Sequence, residues 1–276
     1  MSMRQFANSL SIISRSEHAN RAVAVCRHIY WQARKLGFPR PVHLRLSQSQ
    51  IMDNEPGGVI SMVNMLGLYD YNNMNLVQRV LQGGGLFVDV GANIGAYTLI
   101  ASEVPGVHVL SFEPNPTAFA KLGTNVMLNG RANVELLNMA AGSAPGELHM
   151  TDNGADVLNH VVTGGGAGTI AVLVDTLDAV CRRQGAWPKL IKMDVEGHEP
   201  QVLEGALECL AQVLAVIVEN GERDAVVRLM ATAGLRGPFY YRHASSMLSR
   251  QPQGLAEDAV FTGLRFESQI SGVTIS

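Results

Sequence analysis

The sequence predicts a doubly wound α/β sheet, with an antiparallel pair of strands at its C-terminal edge and a helix-and-strand layer ahead of it. Three observations predict it. From Leu86 onward, short apolar runs alternate with helical patterns, as in a parallel sheet covered on both faces. The run Leu86–Val90 turns through Gly91 and Gly95 into the helical pattern Ala96–Ser102, the strand–turn–helix unit of a nucleotide-type pocket. The last two strand patterns, Pro238–Tyr241 and Ala259–Leu264, follow one another without a helix between them and so pair antiparallel.

Each element has its own warrant. Glu17–Leu36 carries apolar residues at Ala22, Val25, Cys26, Ile29, Ala33 and Leu36, a helical stripe with Ser16 as N-cap and Gly37 and Pro39 as the stop. Val42–Leu46 and Gly58–Val63 read as short strands around a turn that begins at Asp53. Asn75–Leu81 is a short helix that ends at Gly83–Gly85, a hinge. Residues 1–83 are therefore expected to form a cap, and residues 84–276 the main domain. In the main domain the strands are Leu86–Val90, His108–Phe112, Val134–Asn138, Leu190–Asp194 and Val213–Glu219. The helices between them are Ala96–Ser102, Thr117–Leu128, Gln201–Cys209 and Arg223–Ala233. A Gly-rich insertion, Gly142–Thr169, interrupts the alternation.

Composition narrows the class. A chain of 276 residues, 47% hydrophobic, is long enough for a substantial core. The net charge of −3 and the lack of a basic run argue against nucleic acid as a partner. The longest apolar run, Val213–Val218, is far too short to span a bilayer, and Met1–Ser14 lacks the apolar core of a signal peptide. Cys26, Cys181 and Cys209 have neither zinc-ligand spacing nor the look of a disulfide framework, so a reducing, cytoplasmic setting is expected.

The cofactor pocket is read from two strand ends. Glycine permits positive φ and close approach to the main chain, so Gly91 and Gly95 shape the first turn. A dinucleotide motif needs a third glycine where this chain has Asn93, and Asp89 sets a carboxylate where a pyrophosphate is repelled. A cationic amino group is welcome there. S-adenosylmethionine carries an ammonium, a carboxylate and a sulfonium but no phosphate, so it is the expected cofactor, and NAD the disfavoured alternative. Glu113 lies twenty-two residues after Gly91, at the end of the second strand, where an acid binds both ribose hydroxyls. Asn115 follows in the same loop, within reach of the ribose or purine or else a turn residue.

A second strand–turn–helix runs from Leu190 to Gly205. Lys192 and Asp194 share one face of its strand near the carboxyl end, the edge where open α/β sheets bind ligands. Taken with Phe87–Gly95, Ser111–Pro116, Ala140–Gly142 with Gly146-Glu147, and Asp175–Asp178, the segment Lys192-Met-Asp-Val-Glu-Gly-His-Glu199 resembles an FkbM-type methyltransferase over roughly Leu68 to Phe266. The resemblance implies a class I, S-adenosylmethionine-dependent, Rossmann-like fold that methylates a hydroxyl of a small molecule, natural product or carbohydrate. It implies that Asp89, Gly91, Asn93, Gly95 and Glu113 hold the cofactor, and that Asp194 lies between cofactor and acceptor. It also puts Asp70 where such proteins often carry an acid before the first main strand. An N-methyltransferase on the same scaffold is the nearest alternative.

Methyl transfer needs an aligned acceptor and, for an alcohol, help in losing its proton. Candidates at the correct edge are Lys192, Asp194, Glu196, His198, Glu219 and Asn220. Asp194 is the preferred base, Lys192 its ion-pair partner, and His198 a second candidate because imidazole titrates near neutrality. His160, with Asn159 in the insertion, is a more remote one. Asp194, Glu219 and Asn220 also occupy places similar to the magnesium ligands of catechol-type methyltransferases, and hard oxygen donors suit Mg²⁺. Such residues arise readily at strand ends, so no metal is expected.

Overall fold

In the computed structural model the chain is described over residues 13–14, 19–35, 42–53, 58–152, 159–162, 164–252 and 258–276. The expected cap Ser16, the stop at Gly37 and Pro39, and the turn following Asp53 lie outside these residues. The N-terminal layer consists of α1 (Arg21–Lys35), a hairpin of β1 (Val42–Leu46) and β2 (Ser49–Asp53), α2 (Gly58–Leu66) and α3 (Tyr71–Val80). The strand expected over Gly58–Val63 is thus the first part of a helix. Its β-branched run suggests a strand, yet Ile60, Val63 and Leu66 are buried at intervals of three, which is the period of one helical face.

The main domain begins at β3 (Gly85–Val90) and α4 (Ala96–Ser102), followed by β4 (Val107–Phe112), α5 (Pro116–Leu128) and β5 (Val134–Leu137). After an inserted sheet come α6 (Leu177–Gln184), β10 (Pro188–Met193), α7 (Glu199–Glu204), α8 (Leu207–Gln212), β11 (Ala215–Val218) and α9 (Asp224–Thr232). The chain closes with β12 (Arg236–Arg242), β13 (Met247–Ser249), β14 (Ala259–Thr262), α10 (Phe266–Gln269) and β15 (Thr274–Ile275). The nine-stranded sheet has the order β15-β13-β12-β14-β11-β10-β3-β4-β5. β5, β4, β3, β10 and β11 run parallel, and β14 inserts antiparallel between β11 and β12. This is the doubly wound class I arrangement, with the expected antiparallel pair and two further short strands outside it.

Alternate side chains of the central strands feed two cores. Phe87, Val109, Leu190 and Ile217 pack on one face with Leu99, Ile100, Val77 and the N-terminal residues Trp31, Leu46 and Ile60. Val88, Leu110, Ile191 and Val216 pack on the other with Val180, Val202, Leu210 and Val226. The N-terminal layer therefore shares one continuous core with the sheet, and each fully buried aliphatic side chain there contributes about 1.5–3 kcal/mol. Polar contacts fix its register. Asn125 on α5 and Asn129 at its C-cap exchange paired amide hydrogen bonds with the backbones of Met52 and Gln50 at 2.6–3.2 Å, extending β2 as a further strand would. Glu103 accepts from the Ser47 and Ser49 hydroxyls and from the Gln48 amide.

Two differences from the sequence reading bear on function. The single helix expected over Gln201–Cys209 is two helices. They are broken at Gly205, where a Cβ would sit 2.0 Å from the Gly142 carbonyl oxygen. The insertion is itself a sheet: β6 (Ala140–Ala141), β7 (Gly146–Thr151), β8 (Val161–Val162) and β9 (Thr169–Asp175), in the order β6-β9-β7-β8. Met150, Val172 and Val174 bury one of its faces, while Leu173 between them is 62% exposed.

Candidate functional site

β3, β4 and β10 end at one point. The Gly91 and Ala92 amides both donate to the Phe112 carbonyl (3.0 and 2.9 Å), and the Asp194 amide donates to the Val90 carbonyl at 2.9 Å. Gly91 has φ +81°, and a Cβ there would lie 1.9 Å from the Asp194 carbonyl oxygen. The residue must be glycine because the chain just past β10 passes against it. Gly95, at φ +95°, starts α4 against Leu122 and does not line the cavity that opens here.

That cavity opens to solvent, and the empty space between its walls, part of it open solvent, is about 1090 Å³. Asp89, Gly91, Asn93 and Glu113 line one part of it, and Lys192, Asp194, Glu196 and His198 another. Val59 and Tyr69 of the N-terminal layer, and Met150, His160 and Val172 of the inserted sheet, complete the walls.

Asp89 is 2% exposed and accepts a 2.6 Å hydrogen bond from the Thr98 hydroxyl, which also bonds the Ser111 hydroxyl at 2.7 Å. Burial pushes its carboxyl up to about 6, against the stabilising bond from Thr98 and the nearby Lys192 ammonium. Glu113, also buried, accepts from the Asn93 amide at 2.8 Å and the Asn115 amide at 2.9 Å. Burial outweighs these bonds and raises its carboxyl to about 7. Asn93 holds φ +52°, the left-handed conformation asparagine tolerates, and so turns its amide toward Glu113. Asn115 does not line the cavity. Its side-chain oxygen accepts from the Thr117 and Ala118 amides, capping α5.

Lys192 stands beside Asp89 across the β3–β10 pairing. Its ammonium, 2% exposed, lies 3.1 Å from Asp258, 3.7 Å from Asp194 and 5.3 Å from the Tyr97 ring centroid. Burial disfavours its charge, but Asp258, Asp194 and Asp70 together outweigh burial and hold it protonated. The shortest ion pair is thus with Asp258, which sequence spacing did not single out, and Asp194 is the second partner. Asp70 stands outside the cavity lining. It accepts from the Tyr97 hydroxyl and the Asn73 amide, and in that way braces a tyrosine of the cavity wall.

The turn after β10 is rigid. The Gly197 amide donates to Glu199 at 3.0 Å, and the fully buried Glu199 carboxylate also takes Arg223 at 3.4 Å. Glu199 is therefore the staple of the Lys-x-Asp-x-Glu-Gly-x-Glu segment. It leaves Glu196 at φ +51° on the cavity lip and His198 at the start of α7. Burial lowers the His198 imidazole below its ordinary value. Burial, then Asp194 and Glu199, raise the Glu196 carboxyl despite His160 and Arg223. Glu219 is brought beside Asp194 by its amide bond to the Met193 carbonyl at 3.0 Å, and its Oε2 is buried without a hydrogen-bond partner. Burial and Asp194 raise its carboxyl to about 8. One oxygen each of Asp194, Glu196 and Glu219 lie within 4.8 Å of one another, a group able to hold a hard cation. Asn220, the neighbour of Glu219 in sequence, holds φ +51°.

Comparison with known proteins agrees with this framework. A sequence model of the methyltransferase FkbM domain matches residues 89–232, from the end of β3 through the turn at Gly91 and the whole of the second strand–turn–helix unit. The chain is 34% identical over 138 residues to the hexuronic acid methyltransferase AglP of Haloferax volcanii; the match covers 48% of this chain and 54% of the relative. The chain thus spans about half the length of that curated relative. Among solved structures, an rRNA methylase from Streptococcus thermophilus aligns with a TM-score of 0.43 at 14% identity, covering 68% of this chain and 91% of that one. TYW2 of M. jannaschii, solved with AdoMet, aligns with a TM-score of 0.42 at 14% identity, covering 83% and 89%. On the extent of the domain match, the chain belongs to the FkbM methyltransferase family.

Proposed function

We propose that this protein is an S-adenosylmethionine-dependent O-methyltransferase acting on a hydroxyl of a small molecule, natural product or sugar. The observation that carries the reading is the single cavity that runs from Asp89 and Glu113 to Asp194, Glu196 and His198. The residues present fit the cofactor. Glu113 spends two backbone donors on its two oxygens and keeps lone pairs for a ribose diol. Asp89, fixed by Thr98, offers a carboxylate to a cationic group and opposes a pyrophosphate. The cofactor, when bound, supplies an electrophilic methyl on a sulfonium.

The protein's own part is orientation, exclusion of water and proton transfer. Met150, Val161 and Val172 of the inserted sheet form an apolar wall over the cavity, which keeps water from competing with the acceptor. Held by Asp89 and Glu113, the cofactor would supply its methyl group to the acceptor oxygen, with the sulfur keeping the electron pair of the bond that breaks. The acceptor's proton passes to the Asp194 carboxylate, which stands at the strand end with Lys192 at 3.7 Å to hold its orientation. Alignment of the two reactants is worth up to about 7–11 kcal/mol in such transfers.

Thermal melting with adenosylhomocysteine and with NAD tests the cofactor. A ligand at a hundred times its Kd stabilises by about 2.7 kcal/mol, so adenosylhomocysteine should raise Tm by several degrees and NAD should not. Transfer of labelled methyl to a panel of alcohols and amines then tests the acceptor. A response to NAD alone, or label appearing only on nitrogen, refutes the reading.

A further inference from the structure

We propose that Glu196, acting with Asp194, sets acceptor specificity in favour of an uncharged, polyhydroxylated acceptor such as a neutral sugar, and against a uronate. This rests on the methyl-transfer reading above and narrows its acceptor. The acceptor end of the cavity is lined by Asn159, His160, Asp194, Glu196 and His198. Carboxylates make strong, directional hydrogen bonds to hydroxyl donors, and two of them a few ångströms apart match neighbouring hydroxyls on one ring. Asp194 and Glu196 have that spacing, with oxygens within 4.8 Å of each other. Glu196 cannot simply swing clear by backbone motion, because the Glu199 staple and the His198 amide bond to the Val195 carbonyl at 3.2 Å hold its turn.

For an acceptor carboxylate the described lining offers one ammonium and the imidazoles of His160 and His198. Lys192 is the ammonium of the described lining residues, and it is committed to Asp258 and Asp194. Arg223 pairs with Glu199 at 3.4 Å and is not among the lining residues. Around Glu196 itself the acids Asp194 and Glu199 outweigh His160 and Arg223. A uronate bound here would set a negative charge against this field, and like-charge juxtaposition in a binding site costs several kcal/mol. Beyond Glu196 and His198 the surface continues as an open depression lined by His149, Gly164 and Gln201, where the remainder of a larger acceptor has room.

The test uses the full chain with methyl-labelled cofactor and two probes that differ at one carbon, para-nitrophenyl glucoside and para-nitrophenyl glucuronide. The wild type should favour the glucoside by about tenfold or more in kcat/KM. Glu196→Gln should narrow that ratio and Glu196→Lys should reverse it, with adenosylhomocysteine affinity by calorimetry unchanged. Preference of the wild type for the glucuronide overturns the proposal. So does an unchanged ratio in Glu196→Lys; if that variant does not fold, the ratio in Glu196→Gln decides. A wild type that binds adenosylhomocysteine but methylates neither probe sinks the sugar acceptor and leaves the transferase reading standing. Failure to bind adenosylhomocysteine sinks the reading beneath it.

Discussion

Replacing Glu113 by glutamine separates its charge from its shape. In the ligand-free protein the carboxyl is 6% exposed, and burial lifts it from 4.5 to about 7. That displacement corresponds to roughly 3 kcal/mol of cost for carrying the charge at alkaline pH. A ribose diol offsets it with two charge-assisted hydrogen bonds, each worth about 1.5–3 kcal/mol. Binding therefore selects the ionised form. As pH falls through the raised value of about 7, a proton must leave for each ligand bound, and affinity should weaken by up to about tenfold per pH unit. Above that value it should level off. Glutamine retains one acceptor for either the Asn93 or the Asn115 amide and turns an NH₂ toward the other. Affinity for adenosylhomocysteine should therefore drop about ten- to a hundredfold at alkaline pH, and the slope near neutrality should flatten. A weaker dependence should remain near 6, where Asp89 titrates. Calorimetry across this range, in buffers of differing ionisation enthalpy, reads both affinity and proton release. Glu113→Gln that folds and keeps both wild-type affinity and wild-type slope refutes the reasoning.

Three other outcomes are expected. Asp194→Asn should lower single-turnover methyl transfer about a hundred- to ten-thousandfold with cofactor affinity intact, and His198→Ala much less; the reverse ranking makes the imidazole the base. Turnover should survive EDTA, whereas loss with rescue by Mg²⁺ would assign Asp194, Glu196 and Glu219 as ligands. Asp89, Asp258, Glu113 and Glu219 all have folded-state values raised, to about 6, 6, 7 and 8. Their stabilising contribution is complete below the ordinary carboxylate range and is lost as pH rises through those values, so the ligand-free Tm should decline between mildly acidic pH and about pH 8. A Tm that climbs over that interval contradicts the assignment.

What could be read in the sequence is what local chemistry dictates. Gly91, Gly95 and Glu113 announce a turn and a strand-end acid because the relevant constraint lies within a few residues or one βαβ unit. Even there the cause can be distant: Gly91 is required by the Asp194 carbonyl, a hundred residues along the chain, which no local pattern encodes. The same holds for Lys192, whose nearest acid is Asp258, just before the strand β14 that pairs with β11, so that only the folded sheet brings them together. Asn115 was open to two uses, and its proximity to the Thr117 and Ala118 amides makes helix capping the geometry it adopts. The inserted sheet escaped notice because a solvated face weakens the apolar signal, as at the exposed Leu173 between buried Val172 and Val174. That omission matters most, since Met150, His160 and Val172 roof the cavity over Asp89 and Asp194. The floor of the site is built from strand ends whose chemistry is written locally. The roof arises from pairings such as Met150 with Ile170 that exist only after folding, and on the proposal above it is this roof, with Glu196 at the lip, that would set the choice of acceptor.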